Sequence, residues 1–199
     1  MPKDNRTATV ERKTSETEIK IIMGLDGIGE SSVDTGIGFF DHMLQSFARH
    51  GKFDLYINVE GDLEVDGHHT VEDVGICLGS AIKKAAGKKT QIRRFGSAHI
   101  PMDESLVLAV VDLGGRAFFS YQGFDFKIPV LGVFETELVE EFFRAVTVNA
   151  GLNLHIHCLS TGNAHHMIEA SFKAFARALD YALEYDVREK GVPSTKGSL

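Results

Sequence analysis

The chain has 199 residues, 43% of them hydrophobic and 25% charged, enough apolar material for one folded domain and too much for a disordered chain. A net charge of −7 and the absence of Trp exclude the clustered cations and stacking surfaces that nucleic-acid binding needs. No apolar run approaches the roughly 18 residues of a membrane span, and the polar segment 1–18 holds no signal-like stretch, so the expectation is a cytoplasmic protein.

In chain order, Thr17 to Leu25 is partly alternating and β-branched, which predicts a strand. A turn at residues 26–30 follows. Phe40, Met43, Leu44 and Phe47 have helical spacing, and Gly51 is expected to close that helix. Phe53 to Glu60 alternates as a strand. His68 to Ala86 carries an apolar face of Val71, Val74, Leu78, Ala81 and Ile82 and predicts a long helix ending at Gly87.

The plan then repeats. Ser105 to Leu113 and Arg116 to Tyr121 are expected strands around Gly114-Gly115. Leu138 to Ala150 is an expected helix closed by Gly151, Leu152 to Leu159 a strand, and His165 to Leu183 the second long helix. Cys77 and Cys158 fall outside any C-x-x-C pattern and are expected as buried reduced thiols.

The two halves overlay. His68-His69-Thr70-Val71-Glu72 matches His165-His166-Met167-Ile168-Glu169, and Phe40-Asp41-His42-Met43-Leu44 matches Val139-Glu140-Glu141-Phe142-Phe143. The pattern reads as an internal duplication of about 95 residues, giving one domain with halves at about 1–92 and 93–187 and a C-terminal tail at 188–199.

Imidazole and carboxylate together suit first-row divalent metals such as Mn, Fe, Zn or Ni. His68 and Glu72 are four apart, so they share a helix face and can share an ion; His165 and Glu169 repeat the relation. His69 and His166 sit about 100° around their helices and are expected to serve a different ion. Repeat symmetry predicts one site of His68, Glu72, His166 and Glu141, and another of His165, Glu169, His69 and His42. Four protein ligands leave an octahedral ion two open positions, as catalysis requires. Whether the halves meet in one chain or across a subunit boundary stays open. The His pairs enclose no Glu in the H-E-x-x-H manner, and no P-loop, G-x-G-x-x-G or G-x-S-x-G is present. His155 and His157 share a strand face as plain strand residues. His50 ends a helix and His99 is expected in a loop. Asp103-Glu104 is expected as a turn and no more.

The strings FFDHML, DGHHTVEDVG, IRRFGS, IPMDESL, DLGGR, ELVEEFFRA, NAHHMIEASFKAFARAL and PSTKG together resemble imidazoleglycerol-phosphate dehydratase over nearly the whole chain. The resemblance implies an α/β fold with a duplicated unit, in which four helices are sandwiched between two four-stranded mixed β-sheets. It implies a lyase of histidine biosynthesis that removes water from imidazole glycerol phosphate to give imidazole acetol phosphate. It also implies two Mn2+ per active site and a homo-oligomer of 24 chains with active sites between subunits. The family's metal ligands fall on His42, His68, His69, Glu72, His165, His166 and Glu169. The eighth falls on Glu141, where many members have His. Glu16 matches the acidic residue near the reacting carbons, with Glu72 and Glu169 as further proton carriers. Arg94, Arg116, Lys173, Ser194 and Lys196 match positions that hold the phosphate, and Thr195 replaces a common Ser. The lost proton has no carbonyl beside it, so the substrate's imidazole must take up the electrons, and two flanking cations would favour the imidazolate. The rival readings are a dinuclear hydrolase of a small phosphate ester and a non-catalytic protein assembled by metal. Product analysis separates the first, and saturated coordination with indifference to Glu16 marks the second.

Overall fold

Alternation sets the strands. In the computed structural model, which describes residues 6–197, Thr17, Ile19, Ile21 and Met23 of β2 (Thr17–Gly24) are buried, while Glu18, Lys20 and Ile22 face out. The other strands of the first half are β1 (Thr7–Lys13), β3 (Ser31–Asp34) and β4 (Asp54–Gly61), with helices α1 (Gly38–Gly51) and α2 (His68–Ala86). The second half has β5 (Phe95–Met102), β6 (Ser105–Asp112), β7 (Phe118–Gln122), the short hairpin β8 (Val130–Leu131) and β9 (Phe134–Glu135), α3 (Leu138–Ala150), β10 (Asn153–Ser160) and α4 (Ala164–Leu183).

The sheets carry the duplication openly. One runs β1-β2-β4-β3 and the other β5-β6-β10-β7, the same order of equivalent strands. In each, the last pair is parallel (β3 with β4, β7 with β10) and the rest antiparallel. Helices α1 and α2 pack on the first sheet, α3 and α4 on the second, and the layers meet through α2 on α3 and α1 on α4. The expected four helices between two four-stranded mixed sheets are therefore present. Phe40, Phe142, Phe143, Phe172 and Phe175 are buried between the layers with ring centroids 4.9–6.5 Å apart, so the two halves share one aromatic core.

The α2–α3 contact depends on two glycines one turn apart. A Cβ on Gly75 would lie 2.8 Å from the Phe142 carbonyl, and one on Gly79 would lie 2.5 Å from the Val146 carbonyl. Gly79→Val is expected to push α3 away at a cost of about 1–3 kcal/mol, read as a fall in Tm. Gly38, with nothing within 4 Å of its Cβ position, is the control, and Gly38→Ala should leave Tm nearly unchanged. Equal Tm for both variants would sink the packing argument.

Several elements differ from expectation. The polar N-terminal segment contains β1, an edge strand that turns only Ala8 and Val10 inward. Strand β5 was not expected because it holds Gly96 and Pro101. It is an edge strand, where Pro is tolerated, and a Cβ on Gly96 would meet the Ala178 carbonyl of α4 at 1.9 Å. His99 thus lies in a strand, not a loop. The short β3, β8 and β9 left no periodic signal. Gly51 is the last residue of α1, and Lys52 takes the left-handed turn with φ 56°. Gly51 is required instead by the Phe53 ring, 2.3 Å from where its Cβ would stand. Gly151 closes α3 as expected, with φ 65°. Cys77 and Cys158 are free and buried, and burial pushes the Cys77 thiol up to about 11.

Candidate metal centre

Both histidine pairs stand in the first turn of a long helix, each behind a short polar side chain. Asp66 Oδ1 accepts from the His68 N–H at 2.8 Å, and Asn163 Oδ1 accepts from the His165 N–H at 2.8 Å. Within each pair the rings are 6.3 Å apart and nearly perpendicular, at 86° and 77°, so neighbours diverge. The partner one turn on stays close, with His68 Nε2 3.7 Å from Glu72 Oε2 and His165 Nε2 3.0 Å from Glu169 Oε2.

His42 comes from α1 to complete a triad with α4. Its Nε2 is 3.3 Å from Glu169 Oε2, and one ligand atom from each of His42, His165 and Glu169 lies within 4.8 Å of the others. Glu169 is buried, and Lys173 Nζ reaches its other oxygen at 2.6 Å. Burial acts to raise the Glu169 pKa, but bonds from Lys173 and His165 outweigh it and hold the carboxyl below its ordinary value. Two imidazoles and a carboxylate form a donor set suited to a first-row divalent cation, so the residues present fit such an ion.

Across the core, α2 offers His68 and α3 offers Glu141 to one cleft of about 580 Å³, lined also by Tyr121, Phe124 and Thr136. Glu141 Oε2 lies 3.6 Å from Arg144 Nε. In both places residues of opposite halves meet, as the duplication predicts.

His69 and His166 join neither group. His69 Nε2 lies 3.7 Å from Glu16 Oε1, and its Nδ1 is 3.0 Å from Asp62 Oδ2. His166 Nδ1 is 3.1 Å from Glu104 Oε2, and a second three-residue group of donor atoms among the described residues is Asp103, Glu104 and His166. The four-ligand sets expected from repeat symmetry are therefore not closed within one chain. The physical reason is packing: the roughly 100° turn aims each ring away from its neighbour, and the fold sets Glu16 and Asp62 beside His69 and Glu104 beside His166 instead of the opposite cluster. Asp62, Asp103 and Glu104 were missed by sequence reasoning. A usable signal existed for Glu104: it directly precedes β6 as Glu16 directly precedes β2.

The basic residues lie in two places. Lys173 belongs to the Glu169 group. Arg94 pairs with Asp112 at 2.7 Å and donates to the Pro193 carbonyl at 2.9 Å, which docks the tail. Ser194 and Lys196 follow on that tail, where the Lys196 N–H donates to Ser194 Oγ at 3.2 Å. Gly114 lies beside the Arg94 guanidinium, and exposed Arg116 follows two residues later.

Among the described residues no helix is long and apolar enough to cross a membrane. The family model described as imidazoleglycerol-phosphate dehydratase matches residues 35–179. A protein of that name from Acetivibrio thermocellus is 57% identical over 195 residues, 98% of this chain and 100% of the relative. One from Lachnoclostridium phytofermentans is 56% identical, over 98% of this chain and 99% of the relative. The crystal structure of imidazoleglycerol-phosphate dehydratase from Staphylococcus aureus superposes with a TM-score of 0.82 at 40% identity, covering 90% of this chain and 99% of that one. The Pyrococcus furiosus structure gives 0.81 at 34% identity, over 96% and 100%. By matched model, by identity along nearly its whole length and by fold, the chain belongs to the imidazoleglycerol-phosphate dehydratase family of enzymes.

Proposed function

We propose that the chain dehydrates imidazole glycerol phosphate to imidazole acetol phosphate in the cytoplasm, as a step of histidine biosynthesis, with two Mn2+ per active site. The observation that carries this reading is the split ligand set: His42, His165 and Glu169 converge, while His69 and His166 face away from their neighbours. A split set is what a site shared between copies requires, in keeping with a homo-oligomer of 24 chains. His69 of a second copy would complete the His42–His165–Glu169 group, and His166 of a second copy would complete His68, Glu72 and Glu141. Glu141, standing where many members have His, supplies an anionic oxygen, which Mn2+ accepts.

When bound, the two ions supply positive charge beside the substrate's imidazole nitrogens. The chain's residues do the rest. Glu16, held 3.7 Å from His69 Nε2, arrives with that ligand without taking its place, and carries the proton between carbon and solvent. Glu72 and Glu169 are the other candidate proton carriers beside the substrate. Arg94, Arg116, Lys173, Ser194 and Lys196 hold the phosphate by charge and hydrogen bonds.

The deciding test is turnover of imidazole glycerol phosphate by chelator-stripped protein with and without added Mn2+, following the ketone product. Activity should vanish on stripping and return with Mn2+. A protein that binds about two Mn2+ per chain and makes no ketone would overturn the substrate assignment in favour of a phosphate-ester hydrolase or a non-catalytic protein assembled by metal.

A further inference from the structure

The two histidines that leave their own chain's clusters are the two whose rings are gripped from behind. Asp62 Oδ2 lies 3.0 Å from His69 Nδ1, and the Glu104 oxygens lie 3.3 and 3.1 Å from His166 Nδ1. An ionised carboxylate only accepts, so each fixes the hydrogen on Nδ1 and leaves the Nε2 lone pair as the free donor. The far side of each ring again meets a carboxylate, Glu16 Oε1 at 3.7 Å from His69 Nε2 and Asp103 Oδ2 at 3.9 Å from His166 Nε2. The halves thus build the same arrangement from non-equivalent residues. In the first, the clamp follows β4 and the outer carboxylate stands in the β1–β2 turn. In the second, both stand in the β5–β6 turn.

Each clamp is itself anchored. The Asp62 N–H donates to the Glu16 carbonyl at 3.1 Å, tying the clamp to the hairpin that carries Glu16. Glu104 Oε1 accepts from the Asn163 N–H at 2.6 Å, and the Glu104 carbonyl accepts from Ser160 Oγ at 2.8 Å, tying it to the start of α4 and the end of β10. A Cβ on Gly162 would lie 2.0 Å from Glu104 Oε1, so the loop before α4 is shaped around this carboxylate. Asp62 is different: its Oδ1 is buried with no hydrogen-bond partner among the described residues.

We infer that Asp62 and Glu104 are positioning residues for the two metal centres, each orienting one histidine as an Nε2 ligand for the site it completes on a second copy. The inference rests on the metal reading above and adds residues which that reading does not use. Carboxylates of this kind are worth about 10–100-fold in metal affinity.

The test is Mn2+ binding by equilibrium dialysis to intact protein, alongside the Tm of the metal-free form. Wild type should bind two ions per chain. Asp62→Ala should weaken one of them about 10–100-fold and leave the other unchanged, with Asp62→Asn, which keeps an acceptor, losing less. Glu104→Gln, which still accepts from Asn163, should weaken the other ion, and the double variant both. Two ions bound with wild-type affinity in Asp62→Ala and Glu104→Gln would overturn the inference while leaving the metal reading intact. Loss of both ions in step with a lower metal-free Tm would make the two residues structural and overturn it as well. A wild type that binds no Mn2+ would remove the inference together with the reading beneath it.

Discussion

Glu169→Gln is expected to lose one Mn2+ per chain and to drop turnover by at least the order of 10²–10³ that removal of a single charge-stabilising group costs. Glu169 is the only carboxylate in the group that His42 and His165 form with it. Its two oxygens have different partners: Oε2 lies 3.3 and 3.0 Å from the two imidazoles, and Oε1 lies 2.6 Å from Lys173. The amide keeps the shape and the contacts of α4 but removes the negative charge that both a divalent ion and Lys173 require. Lys173 then stands half-buried beside a neutral group, and the cluster repels a cation. Mn2+ dialysis against the metal-free variant and steady-state ketone formation check the two parts. Two ions bound at wild-type affinity would show that Glu169 is an ion-pair partner of Lys173 and not a ligand.

Glu16→Gln is expected to separate binding from chemistry. Glu16 is exposed in the β1–β2 turn, and among the described residues its carboxylate pairs only with His69, at 3.7 Å, beyond hydrogen-bond range. Little of the fold depends on it, so Tm, Mn2+ content and assembly should match wild type. Turnover should fall about 10²–10⁴-fold, the usual contribution of a positioned acid or base. The fall should appear in kcat more than in KM, because the amide preserves size and polarity and loses only the proton. Near-normal kcat would remove Glu16 from the proton path and leave that work to Glu72 and Glu169.

Much of this was legible in the residue order. The duplication is written in the repeated His-His-x-x-Glu, and the sheet orders β1-β2-β4-β3 and β5-β6-β10-β7 repeat it in space. Helices α2, α3 and α4 begin and end within a residue of their expected bounds, because long amphipathic runs with clear breakers carry their own period. The edge strands β1 and β5 were not legible. One is short of apolar residues and the other holds Gly and Pro, and both exist because a neighbouring strand offers its unpaired edge.

At the metal centre the division follows the same line. The one-turn pairs His68–Glu72 and His165–Glu169, and the divergence of His69 and His166, follow from helix geometry alone and needed no tertiary information. That His42 reaches Glu169 across 127 positions, that Glu141 shares a cleft with His68, and that Asp62 and Glu104 stand behind the diverging rings depends on how α1 meets α4, how closely α2 approaches α3 over Gly75 and Gly79, and where β4 ends and the β5–β6 turn lies. Residue order sets which groups lie on one face of one helix, because the backbone period is local. Which faces then meet is decided by packing between elements distant in sequence, and no period within a single element encodes it.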